Sequence, residues 1–156
     1  VFLITSTLDG DSHEGRNRLS WADAETLRLA DVTLGAHTAT HPNLADLPHQ
    51  QAKREILDPQ HSLEDRFGEP ITQFCYPYGS STGAIRDFVR EHFELACSTE
   101  LDFVSSASKR EHLERLDTYY LRGRRLDQLF ARSTRAYIGA RRFLRRRRQA
   151  IQGMSS

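Results

Sequence analysis

Short apolar segments alternate with helix-like segments along most of this chain, and this alternation is the feature that most constrains its fold. Strands are predicted at residues 1–5, 32–36, 71–75, 94–98 and 116–121. Helices are predicted at residues 21–30, 50–67, 82–92 and 124–149. Parallel strands need a long crossover between them, so repeated strand–helix units build parallel sheets covered by helices. The pattern therefore predicts an α/β fold, as a parallel sheet or a barrel.

Local signals predict where several of these helices begin and end. Ser20, with Asp23 three positions later, is typical of a capping box at a helix N-terminus. Gly68 is expected to end the second helix, because glycine readily adopts the left-handed conformation found there. Pro59 lies inside the same helix and is expected to kink or split it, since proline lacks a backbone N–H.

Two histidines, four positions apart, follow the second predicted strand. His37 lies at its carboxyl end, and Pro42 disfavours a helical conformation at His41, so the pair is expected on a strand-end turn. Imidazole is the commonest protein ligand for zinc, and ligands in α/β folds bind beyond the carboxyl ends of strands. Spacing alone leaves two interpretations open: half of a metal site, or two unrelated surface histidines.

A second turn, Pro77-Tyr78-Gly79, follows the third predicted strand. Proline, an aromatic residue and glycine are typical of a tight turn with a packed ring. In a functional interpretation, the turn points the backbone N–H of Tyr78 into a pocket, where a fixed donor suits a developing oxyanion.

The order of these features is informative: a strand, His-Thr-x-x-His-Pro-Asn-Leu, a long helix, a strand ending in Phe-x-Tyr-Pro-Tyr-Gly, and a helix. This order resembles the NodB-homology domain of polysaccharide deacetylases, carbohydrate esterase family four, from residue 1 to about residue 125. Further matches are Leu19-Ser20-Trp21, Leu34-Gly35-Ala36-His37 and Arg115-Leu116-Asp117. The resemblance implies an incomplete, distorted (β/α) barrel over residues 1–125, followed by a long, basic C-terminal helix and tail over residues 126–156.

The resemblance also implies a reaction and a metal. Members of this family remove acetyl groups from N- or O-acetylated sugars, so an acetylated oligo- or polysaccharide is the expected partner. His37 and His41 would bind a divalent metal ion, most often Zn²⁺, and Thr38 would hold the histidine loop together through its hydroxyl. The metal would polarise the acetyl carbonyl and lower the pKa of a bound water.

The remaining site residues are likewise implied by the resemblance. Tyr78 would supply the backbone oxyanion donor, and Tyr76, Pro77 and Tyr78 would contact the substrate. His112 is the candidate general acid by its late position, although its surroundings do not match the family's Leu-x-His motif, and a surface histidine is the other interpretation.

One family motif, Thr-Phe-Asp-Asp-Gly, has no match in the chain. Its aspartates would supply the catalytic base and the third metal ligand. The nearest similar segment is Thr7-Leu8-Asp9-Gly10, in which Asp9 is interpreted first as a turn residue, with a metal ligand as the other interpretation. A domain rarely opens in mid-strand, so we expect the motif to lie upstream of residue 1. The chain by itself is therefore expected to bind metal weakly and to turn over little or no substrate.

Charge is distributed unevenly along the chain. Residues 122–148 contain eleven arginines and one acid, whereas the net charge of the whole chain is only +1, so the rest carries nine more acids than bases. An apolar stripe on the C-terminal helix is expected to pack on the domain: Leu126, Leu129, Phe130, Tyr137, Ala140 and Leu144. Its arginines are interpreted first as a solvated face, then as a contact with an anionic membrane. No recognisable motif indicates a specific nucleic-acid partner.

Composition sets broader bounds. No run of eighteen apolar residues exists, so a soluble protein of the bacterial cytoplasm or cell envelope is expected, with the compartment left open. Cys75 and Cys97 are interpreted as buried free thiols, with a disulfide between them also open. Two function classes besides hydrolysis remain: a non-catalytic carbohydrate-binding remnant, and an anionic-surface binder acting through the arginine-rich helix.

Overall fold

The structure, a computed structural model, describes residues 1–8, 18–121 and 131–153. The chain forms two compact units. The first comprises Val1–Ser98 and Lys109–Leu113, and the second comprises Thr99–Ser108 and Glu114–Ser156. The domain boundary predicted near residue 125 lies outside the described residues and stays a prediction.

A five-stranded open sheet organises the fold, with its strands in the same order as along the chain. The strands are β1 (Phe2–Leu3), β2 (Gly35–Ala36), β3 (Gln73–Cys75), β4 (Leu95–Leu101) and β5 (Leu113–Arg115). β1 pairs with β2, β2 with β3 and β3 with β4, each in parallel. The predicted α/β class is confirmed. In the described residues the barrel expected from the family takes the form of an open sheet, with β1 and β5 at its two ends.

Four α-helices accompany the sheet in the described residues. They are α1 (Trp21–Leu29), α2 (His49–Phe67), α3 (Gly83–His92) and α4 (Arg132–Gly153). The predicted capping box is present at α1, where the Ser20 side chain accepts from the N–H of Asp23 and the Asp23 carboxylate accepts from that of Ser20. Gly68 ends α2 with a φ of 69°. None of the helices in the described ranges is long and apolar enough to cross a lipid bilayer.

Two predicted features are wrong. The strand expected at residues 116–121 is a short 3₁₀ helix, Thr118–Leu121. The Asp117 carboxylate accepts the N–H of Tyr119 at 2.8 Å, and such a local hydrogen bond competes with a strand ladder. Pro59 does not split its helix either, because α2 continues through it to Phe67. The alternative, a kink at Pro59, stays a prediction.

The core of the first unit surrounds β3. Phe74 is fully buried, and its ring centroid lies 5.1 Å from that of Tyr76 and 5.2 Å from that of Phe93. Ile56 of α2 and Val89 of α3 are also fully buried in this core. Burial on this scale fixes the sheet, and with it the turns that follow β2 and β3.

In the second unit, α4 buries Thr134 and Ile138. Part of the stripe predicted for this helix is wrong, because Leu144 is 51% exposed and Ala140 is exposed as well. The stripe residues Leu126, Leu129 and Phe130 lie outside the described residues. Cys75 and Cys97 form no disulfide, and Cys75 is buried as interpreted from the sequence, whereas Cys97 is only partly buried.

Candidate functional site

Two turns meet at the carboxyl edge of the sheet. Residue 37 follows β2 directly, and its backbone N–H still donates to the Leu3 carbonyl at 2.9 Å. The Pro77–Gly79 turn comes shortly after β3. Because Ala36 and Phe74 are paired in the sheet, the ends of β2 and β3 lie side by side. The sheet thus brings together the histidine turn and the Pro-Tyr-Gly turn that the sequence indicated.

The His37 ring is fixed by the backbone of β3. Its Nδ1 lies 2.6 Å from the carbonyl oxygen of Cys75. A carbonyl oxygen can only accept, so we assign the proton to Nδ1, which leaves the lone pair of Nε2 as a potential metal ligand. A hydrogen bond of this kind also orients the rings of many metal-binding histidines.

The His41 ring lies between two other rings. Its centroid is 4.8 Å from that of His37, with an interplanar angle of 77°, and 4.9 Å from that of Tyr78, with an angle of 64°. The backbone N–H of His41 donates to Thr38 Oγ1 at 2.9 Å, and Thr38 is fully buried. The two imidazoles predicted as a pair are therefore neighbours in space.

Backbone conformations that most residues avoid are concentrated in these two turns. Thr38, His41 and Tyr78 have φ values of 64°, 63° and 57°, and they are three of the four non-glycine residues with positive φ in the described residues. The left-handed region costs about 1–2 kcal/mol per ordinary residue. Such residues persist only where their surroundings hold them, and they are frequent at functional sites.

Glu55 of α2 is a site residue that sequence reasoning missed. Its carboxylate accepts the backbone N–H groups of Ala39 and Thr40, at 3.0 and 2.9 Å, and the Thr40 hydroxyl at 2.9 Å. The signal that could have found it is Pro59. A proline four residues after Glu55 leaves the Glu55 carbonyl without its usual helical donor.

The predicted substrate-contacting residues differ in exposure. Tyr78 is 67% exposed, whereas Pro77 is buried and the Tyr76 side chain is fully buried. The Tyr76 hydroxyl donates to the carbonyl of Glu111 at 2.7 Å, and burial raises the pKa of this phenol above its ordinary range. Tyr76 therefore packs in the core in this structure. The substrate contacts of all three residues stay predictions.

His112 lies beside Tyr76. Its ring centroid is 5.9 Å from that of Tyr76, and its backbone N–H donates to the Lys109 carbonyl at 2.9 Å. The side chain is half-buried. Its assignment as the general acid stays a prediction.

The donor set at the carboxyl edge suits part of a zinc site. Catalytic zinc is held by three protein ligands, and neutral imidazole is the commonest of them. His37 and His41 fit as two such ligands. Within the described residues, no group of three or more histidine, cysteine, aspartate or glutamate side chains is placed to hold a metal ion. Asp9, the only acid in the segment that resembles the missing motif, lies outside those residues.

Comparison with known proteins assigns the chain to a family. The sequence profile of the family described as polysaccharide deacetylase matches residues 1–92, which is more than half of the chain. The chain therefore belongs to the polysaccharide deacetylase family. No curated protein sequence gives a significant match.

Solved structures support the same fold. A polysaccharide deacetylase from Bacillus cereus superposes with a TM-score of 0.63 at 18% identity, over 74% of this chain and 35% of that protein. The deacetylase PplD from Streptococcus pyogenes, in complex with acetate, gives 0.65 at 18% identity, over 72% of this chain and 49% of that protein. IcaB from Ammonifex degensii gives 0.61 at 21% identity, over 74% and 54%. This chain thus spans about a third to just over half the length of these proteins.

Proposed function

We propose that this chain carries the histidine part of the active site of a metal-dependent carbohydrate deacetylase. The reaction would hydrolyse an acetyl group from an N- or O-acetylated oligo- or polysaccharide. The observation that supports this best is the pairing of His37 and His41 at the carboxyl edge of the sheet, with His37 oriented by the Cys75 carbonyl. Membership of the family supports the reaction class, and the acetate bound to PplD fits a product of deacetylation.

His37 and His41 would hold a divalent metal ion, with zinc the first expectation from the imidazole donors. When bound, the ion would supply Lewis-acid polarisation of the acetyl carbonyl and a more acidic water. The chain's own contribution is orientation. The Cys75 carbonyl fixes the tautomer of His37, and the Thr38 hydroxyl fixes the backbone of His41.

Tyr78 would act through its backbone and its ring. The turn that carries it is held by hydrogen bonds from the N–H of Gly79 to Tyr76 O at 3.0 Å and from that of Ser80 to Pro77 O at 3.2 Å. A donor on such a fixed backbone is preorganised for the oxyanion that develops in acyl transfer. The exposed Tyr78 ring beside His41 offers an apolar face to a sugar.

We expect metal binding by this chain to be weak and turnover to be low. Two imidazoles supply fewer protein ligands than the three of catalytic zinc sites. A carboxylate base and a general acid would also be needed for the water and for the departing amine or alcohol.

Zinc calorimetry tests the proposal on the intact chain. The double variant His37→Ala, His41→Ala is compared with a control, His49→Ala, His61→Ala, which removes two histidines of α2 and keeps the histidine count equal. We expect one-to-one binding that disappears in the first variant and persists in the control. Equal binding by all three proteins would contradict the metal site. Affinity for chitin oligosaccharides that a chelator leaves unchanged would favour the carbohydrate-binding remnant.

A further inference from the structure

The short segment between the two histidines is attached to α2 rather than only to the sheet. The N–H of Ala39 lies 3.0 Å from Glu55 Oε2 and 3.1 Å from the Glu55 carbonyl oxygen. The N–H of Thr40 lies 2.9 Å from Glu55 Oε2, and the Thr40 hydroxyl lies 2.9 Å from Oε1. Glu55 therefore accepts all of these hydrogen bonds, and their donors are the consecutive loop residues Ala39 and Thr40.

Pro59 explains why the Glu55 carbonyl can take part. In an α-helix the carbonyl of residue 55 accepts the N–H of residue 59, and proline has no N–H to give. Pro59 is fully buried and α2 continues through it. The carbonyl that the proline leaves without a helical partner is the one that accepts from Ala39.

This attachment acts on the part of the loop whose backbone is strained. Thr38 and His41 both adopt left-handed φ values, and Ala39 and Thr40 lie between them. Hydrogen bonds from N–H groups to a carboxylate are charge-assisted and roughly twice as strong as neutral ones. On the other side of the loop, the Ala39 carbonyl accepts the N–H of Ser6 at 3.0 Å. Ala39 is thus held from α2 through its N–H and from the segment after β1 through its carbonyl.

We propose that Glu55 and Pro59 are positioning residues for His41. The Glu55 carboxylate, together with the backbone carbonyl that Pro59 leaves open, fixes residues 39 and 40 and so holds the His41 ring beside that of His37. This inference rests on the proposed function, since its benefit is a histidine pair prepared for one metal ion. Neither residue would touch the metal or the substrate.

Two variants test the pair, and a neighbouring one serves as control. Glu55→Gln keeps the size of the side chain and removes its charge and one of its acceptor oxygens. Pro59→Ala restores a helical N–H that competes with Ala39 for the Glu55 carbonyl. Asp58→Asn removes a charge from the exposed side of the same helix turn.

The first measurement needs no metal. Nuclear Overhauser effects between the ring protons of His37 and His41, and hydrogen exchange at the amides of Ala39 and Thr40, are compared by NMR. We expect Glu55→Gln to weaken the ring contact and to speed exchange at both amides. Pro59→Ala should speed exchange mainly at Ala39, and Asp58→Asn should match the wild type.

The second measurement is zinc affinity by calorimetry. We expect Glu55→Gln to weaken binding by about 10- to 100-fold, the usual effect of losing a residue that orients metal ligands. Pro59→Ala should weaken zinc binding less than Glu55→Gln does. Circular dichroism should show that α2 stays helical in this variant, because alanine favours the helix. Weaker binding with an intact helix separates positioning from simple unfolding.

The outcomes separate this inference from the function on which it rests. An unchanged ring contact or unchanged amide exchange in Glu55→Gln would overturn the positioning role, and so would an unchanged zinc affinity if the wild type binds zinc. If the wild type bound no zinc while Glu55→Gln lost the ring contact, the proposed function would fail and the positioning of His41 would stand.

Discussion

His37 illustrates how one hydrogen bond decides what a side chain can do. The Cys75 carbonyl accepts a hydrogen bond from the Nδ1–H of His37, and in this tautomer Nε2 carries the lone pair of the ring. The tautomer by itself is not diagnostic, because Nδ1 of His92 lies 2.8 Å from the Phe88 carbonyl of its own helix. His37 differs in that its carbonyl partner belongs to another strand and a second imidazole lies 4.8 Å away. This long-range hydrogen bond and the neighbouring imidazole are the two observations on which the proposed metal site rests.

Tyr76 should make stability depend on pH in the alkaline range. Burial raises the pKa of its phenol above the ordinary value of 10.0, so the group stays protonated in the folded chain while the unfolded chain ionises near that value. The unfolded state then binds fewer protons, and the stabilising contribution of Tyr76 is present below about pH 10 and is lost as the pH rises further. In Tyr76→Phe this loss is absent.

Urea unfolding at several pH values checks this prediction. Near neutral pH we expect Tyr76→Phe to be less stable by about 1–3 kcal/mol, because the buried Glu111 carbonyl loses its donor. Above pH 10 the difference between the two proteins should shrink. A difference that stays constant across the alkaline range would contradict the role assigned to the buried phenol.

At the scale of elements, β2 depends on having no side chain at Gly35. A Cβ at this position would lie 2.7 Å from Phe2 Cδ1 and 2.8 Å from the backbone oxygen of Gln73. The backbone oxygen cannot move aside without disturbing β3. We expect Gly35→Ala to cost about 1–3 kcal/mol of unfolding free energy, as overpacking usually does.

Gly83→Ala is the matched control, because nothing lies within 4 Å of its Cβ position at the start of α3 in the same unit. Denaturant unfolding should show the control at or slightly above wild-type stability. Equal stability of Gly35→Ala and Gly83→Ala would contradict the close approach of Phe2 and of the Gln73 backbone to Gly35.

The ends of helices could be predicted from the sequence because the signals are local. Each signal involves only a few neighbouring residues. In the structure α1 begins after Ser20, which forms the capping box with Asp23, and α2 ends at Gly68, as predicted. Strand lengths were predicted less well. β2 covers only Gly35–Ala36 of the predicted residues 32–36, because a strand is defined by partners far away in sequence.

The candidate site was likewise predicted only in part from the sequence. The sequence placed His37 at a strand end and indicated a turn at Tyr78, and both lie at the carboxyl edge of the sheet. It did not indicate that Glu55 accepts from residues 39 and 40, since that contact joins segments 16 residues apart. Pro59 was expected to kink or split α2, but the helix continues through it and the Glu55 carbonyl accepts the N–H of Ala39. Pro59 could have indicated that the Glu55 carbonyl lacks its helical donor, but only the three-dimensional structure shows that Ala39 donates to it.

At the scale of the whole molecule, charge sets α4 apart. The helix has eight arginines and no acid, and all 21 acids of the chain precede it in the sequence. Arg142 forms an ion pair with Asp102, and the guanidinium of Arg147 lies 4.7 Å from the centroid of the Phe143 ring. Phe143 and Leu144 are 56% and 51% exposed. Exposed apolar residues among arginines are typical of helices that lie on anionic membranes.

Sedimentation with lipid vesicles tests this surface. We expect the chain to bind vesicles containing phosphatidylserine, and to bind less as salt is raised, because basic residues near such a surface contribute about 1 kcal/mol each. Replacing Arg145, Arg146, Arg147 and Arg148 with glutamine should weaken binding by about a thousandfold on the same basis. Replacing Arg54 and Arg66 of α2 with glutamine provides a control that should change binding little. Equally strong binding to neutral phosphatidylcholine vesicles, or no binding to either kind of vesicle, would contradict the membrane contact. The arginines would then be a solvated face of the helix.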